Sequence, residues 1–286
     1  MAALAATVVM LAAAVVFQAS SSADVTAVQG SAFGASGSVS LFRGPPNNFP
    51  SQPAVTLPPT GGNVSDSRTS VAFQAGPAQV LTAGQTNVSS QGTLGPSGSV
   101  TSTATMSNLA LGGTTATTIS ATCTASETSR TGSTTVTGGR VPTSDPNRNV
   151  EGDEVYTDVP ANPPPNFTLN GLVPSVGTDY YRVVFNEQVV TGNTITVRAA
   201  HFYLGENPAP IDQGGPVGTG EIIVGEVVCG VTAVPGTTTT TAAPATTTTA
   251  PTTTTTAPTT TTTAPTTTTT APDVTTTTAP TTTTTG

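Results

Sequence analysis

The sequence predicts an all-β protein: an antiparallel two-sheet sandwich followed by a disordered Thr/Pro-rich tail. Three observations lead there. Thr, Ser and Val dominate the middle of the chain, Trp is absent, and 29 Gly and 25 Pro punctuate the 286 residues, a mixture that favours short strands between turns over long helices. β-prone runs such as SVSLF, PAVTL, SVAFQ and GSVTSTATM are each followed by a turn signal or a Gly-containing break, a rhythm that suits two packed sheets. No window carries a helical period of apolar residues. A barrel or a β-solenoid would satisfy the same spacing.

The head, AALAATVVMLAAAVVF from Ala2 to Phe17, is uncharged and is followed by small residues at Ser21 and Ala23. Residues 1–23 therefore resemble a secretory signal peptide. The head has no Lys or Arg and falls short of the ~20 apolar residues of a spanning helix, which leaves an uncleaved membrane anchor as the alternative. Residues 24–236 form one domain, because no stretch inside them has the composition of a linker. Their length supports a buried core.

Seven Lys and Arg stand against fifteen Asp and Glu, a net charge of −8. That balance argues against nucleic acid and anionic lipid as partners, since both are held by clustered cations.

Two cysteines in an exported chain read as one disulfide, Cys123 to Cys229. In TTISATCTAS, Ile119, Ala121, Cys123 and Ala125 share a face; in EIIVGEVVCGV, Ile223, Val227, Cys229 and Val231 share another. Both sulfurs then point into a core. The alternative is two separately buried thiols.

YYRVVFNEQVVTGNTITVRAAHFYL, residues 180–204, reads as a hairpin with a three-residue loop Thr191-Gly192-Asn193. That register places Val189 opposite Ile195, Phe185 opposite Ala199, Val183 opposite His201 and Tyr181 opposite Tyr203 on a buried face, with Asn186 opposite Arg198 on the other. His201 is the single histidine, so acid–base or metal chemistry through an imidazole has to use it. Its obvious partner, Glu187, stands opposite Val197 in this register and ~13 Å away at strand rise, too far for a catalytic hydrogen bond. His201 is accordingly expected at the core margin with its nitrogens on backbone groups. There is no G-x-S-x-G elbow and no C-x-x-C pair, and no catalytic residue is assigned; the expectation is a protein that is not an enzyme.

DPNRNVEGDEV, residues 145–155, places Asp145, Asn147, Asn149, Glu151 and Asp153 at alternate positions, an oxygen-ligand spacing that makes calcium the one cofactor candidate. Val150 and Tyr156 replace the Gly and Glu of an EF-hand loop, so a solvated acidic turn is the competing reading. Three N-glycosylation sequons begin at Asn63, Asn87 and Asn166.

Residues 237–286 are a low-complexity stalk. Pro recurs at 244, 251, 258, 265, 272 and 280, which forbids a coiled coil, and Thr at this density has nothing to bury and stays hydrated. At ~3.1 Å per residue an extended tract of this length reaches ~150 Å, and its Thr side chains are O-glycosylation candidates.

The stretches SAFG, LPPTGG, ISATCTAS, VFNEQ, ITVRAAHFYL and EIIVGEVVCG together resemble the choice-of-anchor P family of exported, largely actinobacterial surface proteins. The resemblance spans residues 24–232. It implies a β-rich exported domain of no assigned activity, joined to differing attachment signals. The chain closes on Gly286 without an LPxTG-like motif, which under this resemblance reads as a truncated anchor or as attachment by other means. The expected function is a cell-surface or cell-wall structural or adhesive protein, extracellular, whose partners are envelope components or a host or environmental surface. A carbohydrate-binding surface module, calcium-assisted, is the alternative; the absence of Trp weakens it, because sugar sites favour aromatic platforms.

Overall fold

The computed structural model describes residues 23–42, 44–143, 155–173, 180–205 and 218–234. Fifteen strands follow one another: β1 Asp24–Leu41, β2 Asn47–Thr56, β3 Gly62–Arg68, β4 Val71–Ala75, β5 Ala78–Ala83, β6 Thr86–Thr93, β7 Ser99–Leu111, β8 Thr114–Ser126, β9 Arg130–Thr137, β10 Arg140–Thr143, β11 Val155–Asp158, β12 Phe167–Leu172, β13 Tyr180–Thr191, β14 Thr194–Leu204 and β15 Gly218–Val234. No helix occurs among the described residues. All pairings are antiparallel, as the all-β sandwich expectation requires. The apolar residues before Ala23, expected as a signal peptide, and the Thr/Pro tract lie outside the described residues.

One sheet has the order β12-β13-β14-β15-β1-β2. The other runs β11-β10-β8-β7-β5-β4, with β6 and β3 continuing from β7 and with β9 paired to β8. Period-two alternation builds the core between them: Val100, Ala104 and Met106 of β7 and Ile119, Ala121, Cys123 and Ala125 of β8 are buried, while the Ser and Thr residues between them are partly exposed, Ser102 excepted. From the opposite sheet come Val227, Cys229 and Val231 of β15, as their alternation predicts.

The sheets approach closely. Cys123 and Cys229 are disulfide-bonded with Cα atoms 5.9 Å apart, against the ~10 Å that usually separates stacked sheets. Small residues make that approach possible. A Cβ added to Gly30 would collide with Ser90 Oγ of the facing sheet, and one added to Gly132 with Val197 Cγ2. The large buried side chains, among them Phe73, Phe202 and Tyr181, lie elsewhere. Tyr181 is wholly buried, with its hydroxyl paired to Thr114 Oγ1, and burial pushes that phenol well above its usual range, the Thr114 bond offsetting only part of the effect.

A line of irregular positions crosses the first sheet. Cross-strand pairing skips Asn186 in β13, Ala199 in β14, Gly225 in β15 and Gly34 in β1, and resumes on either side. Asn186 has φ 52° and Gly225 φ 63°, the left-handed region that Gly and Asn tolerate best. The alternation changes phase there: Ile195, Val197 and Ala199 face the core on one side of the line, Ala200 and Phe202 on the other. Ile223 is consequently off the core face, and Ile222 and Val224 take its place. The second sheet shows the same device, with Asn108 (φ 49°) and Thr117 skipped between β7 and β8.

The hairpin expected at residues 180–204 forms, but one residue out of the expected register. Thr191 pairs with Thr194 across a two-residue turn, Gly192-Asn193, with Gly192 at φ 56° as the first position of a tight hairpin turn requires. Val190 therefore faces Ile195, Glu187 faces Arg198 and Val184 faces His201. The apolar alternation does not select the register here, because the tip residues Val189 and Val190 are exposed and the line of irregular positions divides the core-facing set.

Candidate functional site

Charged side chains are sparse, yet several of them gather on the outer face of the first sheet beside the line of irregular positions. Glu187 is central. Its Oε2 accepts from Arg198 Nη1 at 2.7 Å and from His201 Nδ1 at 2.8 Å, and its Oε1 accepts the hydroxyl of Tyr203 at 3.0 Å. Arg198 Nε donates to Glu226 Oε2 at 2.7 Å. His201 Nε2 lies 3.2 Å from Glu221 Oε2. The imidazole is tilted against the Tyr203 ring, centroids 4.0 Å apart, and the Arg182 guanidinium covers Tyr203 at 3.9 Å.

Strand geometry explains the cluster. Glu187, Arg198 and Glu226 are cross-strand neighbours on one side of the irregular line, and Arg182, Tyr203 and Glu221 are neighbours on the other. In a regular strand Arg198 and His201, three residues apart, would point to opposite faces. At the unpaired Asn186–Ala199 position both strands change side-chain phase with no shift of register, and this turns His201 onto the face of Arg198. Two sequence expectations are overturned here: Glu187 and His201 are in direct contact, and the histidine nitrogens meet carboxylates in place of backbone. Tyr203 likewise leaves the buried face on which only Tyr181 remains.

The electrostatics follow from this packing. Burial by itself disfavours a charged Glu187, but the hydrogen bonds from His201, Arg198 and Tyr203 outweigh it and bring the carboxyl down to about 2. Burial raises the Tyr203 phenol, and its bond to an ionised Glu187 raises it further. An ionised carboxylate only accepts, so Nδ1 of His201 carries the proton in this contact and Nε2 is the nitrogen left to face Glu221.

The calcium candidates Asp145, Asn147, Asn149, Glu151 and Asp153 lie outside the described residues. The sequon residues Asn63, Asn87 and Asn166 are exposed, and Asn166 Oδ1 accepts the backbone N–H of Gln188. Cys123 and Cys229 are joined as expected. Arg182, Arg198, Tyr203, Glu221 and Glu226 were not foreseen as parts of a site. The signal for them was present: Val183-Val184-Phe185 and Ala199-Ala200 break the alternation, and such a break marks a change of side-chain phase along a strand.

Fold and cluster together define a disulfide-linked antiparallel β-sandwich with one buried-edge ionic cluster on an outer face. No family model, curated protein or solved structure matches the chain.

Proposed function

We propose that this chain is an exported surface protein, a non-catalytic β-sandwich head presented on the Thr/Pro-rich tract of residues 237–286. The observation that carries the reading is the Cys123–Cys229 disulfide between the two sheets, because disulfides of this structural kind form and persist in oxidising compartments. The apolar head of the sequence, the hydrated tract and the resemblance to the choice-of-anchor P family support the same reading. The test is expression of the full chain in an actinobacterial host with an internal epitope, followed by fractionation and maleimide labelling of native protein. Epitope in the envelope or medium, with both thiols unreactive until reduced, is expected. Cytoplasmic protein with two free thiols overturns the reading.

A carbohydrate-binding head is a second reading, favoured by the outer face of the second sheet. Asn63, Gln91, Thr101, Thr124 and Thr131 form one cross-strand row, and two further rows run in register from Ser65 to Ser133 and from Ser67 to Thr135. All fifteen positions are Ser, Thr, Asn or Gln, and none is buried. Shallow grooves run between them, one lined by Ser65, Asp66, Ser67, Asn87, Thr103 and Thr105. A neutral, hydroxyl-rich face suits an uncharged polymer, with affinity from many weak contacts since no aromatic ring is present to stack. Retention on insoluble neutral polysaccharide that is lost in a Thr103→Lys, Thr122→Glu double variant is the expected result; equal retention by the variant overturns it.

A further inference from the structure

We propose that His201 and Glu221 form an open binding site for a divalent transition-metal ion of the zinc class. This goes beyond surface display and does not depend on it. The first support is the orientation of the imidazole. Nδ1 donates to Glu187 at 2.8 Å, and Glu187 is itself fixed by Arg198 and Tyr203. A carboxylate that holds one ring nitrogen and leaves the other free to coordinate is the usual second shell of a metal-binding histidine, and that carboxylate is in turn hydrogen-bonded.

The second support is a distance. Nε2 and Glu221 Oε2 are 3.2 Å apart, long for a hydrogen bond between charged partners at about 2.7–2.9 Å. Zinc binds nitrogen at about 2.0–2.1 Å and carboxylate oxygen at about 2.0–2.2 Å, so two ligands at a tetrahedral angle lie roughly 3.3 Å apart. The gap therefore already has the length of a ligand-to-ligand edge. Charge points the same way. Glu187 and Glu226 meet Arg198, and Glu187 and Glu221 meet His201, so with a neutral imidazole the three carboxylates call for more positive charge than Arg198 supplies. A proton on Nε2 or a metal ion on Nε2 supplies it, and the two compete.

Exposure decides the kind of site. The His201 side chain is 5% exposed but that of Glu221 is 55% exposed, so the ion is reached from the Glu221 side and water fills its remaining positions. Among the described residues no three His, Cys, Asp or Glu side chains are grouped as a closed metal centre, so the proposal rests on two protein ligands and an ion that exchanges with solvent.

The test is titration of the tag-free full chain with zinc chloride at pH 7.5 by calorimetry, with the ring nitrogens followed by 15N NMR. One equivalent is expected, with a shift of the Nε2 resonance while Nδ1 stays protonated, and with affinity falling as the pH is lowered. Glu221→Gln, at an exposed position that tolerates change, weakens binding at least tenfold, and His201→Gln abolishes it. Glu187→Gln weakens it about 10- to 100-fold through loss of the second shell. No saturable binding to wild type, or equal binding to the Glu221→Gln and His201→Gln proteins, overturns the proposal.

Discussion

Glu187 and His201 are hydrogen-bonded at 2.8 Å across the line where β13 and β14 both change the phase of their side chains. The contact joins a residue on one side of the line to a residue on the other. With Arg198 and Tyr203 on the same carboxylate, it ties the irregular segments of two strands together. The irregularity and the cluster thus depend on each other: without the phase change the partners face opposite ways, and without the partners the phase change has an unpaired carboxylate beside it.

Acid should weaken this tie in a defined window. The Glu187 carboxyl is lowered from 4.5 to about 2 in the folded protein, so its ionised form stabilises the fold above about pH 4.5, and that stabilisation disappears as pH falls toward 2. Glu187 is partly open to solvent, so screening reduces the effect to about 1–2 kcal/mol. Urea denaturation at pH 7 and pH 2.5 is expected to show wild type more stable than Glu187→Gln by this amount at pH 7, with the difference shrinking at pH 2.5. A difference independent of pH would show that the carboxylate's charge plays no part.

The left-handed strand positions give a second prediction. Asn186 combines φ 52° with side-chain bonds to Pro163 O and from Gln188 Nε2. Asn186→Gly keeps the backbone and loses the bonds, at a cost of about 1 kcal/mol. Asn186→Val adds the strain of a β-branched residue at positive φ, about 1–2 kcal/mol more. Asn108, exposed at φ 49°, should accept Gly with little change. Melting curves of the three variants check the order.

Much of the fold is legible in the sequence because alternation reports burial directly where a strand is regular. Ile119, Ala121, Cys123 and Ala125 of β8 have no irregular residue among them, and their face, their burial and the disulfide all follow from the pattern. β14 and β15 are different. Ala199 and Gly225 are small residues that look unexceptional in an alternating run, yet each shifts the phase, and every side chain beyond it changes face. The runs Val183-Val184-Phe185 and Ala199-Ala200 mark a break in alternation, but the residue at which the phase turns is set by the matching skipped position in the neighbouring strand, which local composition does not record. The register of the β13–β14 hairpin escaped for a related reason. The two readings of the turn differ by one residue, and the apolar tip that should have decided between them is in solvent.

The disulfide should contribute a large part of the stability. It closes a loop with a sequence separation of 106, for which the chain-entropy model gives ~4–5 kcal/mol. Cys123→Ala with Cys229→Ala adds the loss of close packing where the sheets are nearest. Guanidinium denaturation of the double variant, and of wild type with and without reductant, is expected to show a fall of at least ~3 kcal/mol, a substantial fraction of a typical domain's total. An unchanged midpoint would mean that the bridge constrains a loop already restricted in the unfolded chain.

The closeness of the sheets gives the last prediction, which is best made as a cycle. Ser90 Oγ occupies the space that a Cβ on Gly30 would need. It is also bonded at 2.8 Å to Ser102 Oγ, which reaches the carbonyl of Val228 in the opposite sheet at 3.0 Å. Gly30→Ala alone overpacks this point and displaces the Ser90 hydroxyl, at a cost of about 1–3 kcal/mol. Ser90→Ala alone costs about 1 kcal/mol, because Ser102 retains Val228 as a partner. In the double variant the new methyl enters the space the hydroxyl has vacated, although Val100 Cγ2 still crowds it at 2.8 Å. The two changes should therefore be less than additive by about 1 kcal/mol, within the range seen for residues in contact. Additive losses would mean that the sheets separate locally to admit the methyl, and that the spacing here is set by the disulfide's neighbours and not by the fit of Gly30 against Ser90.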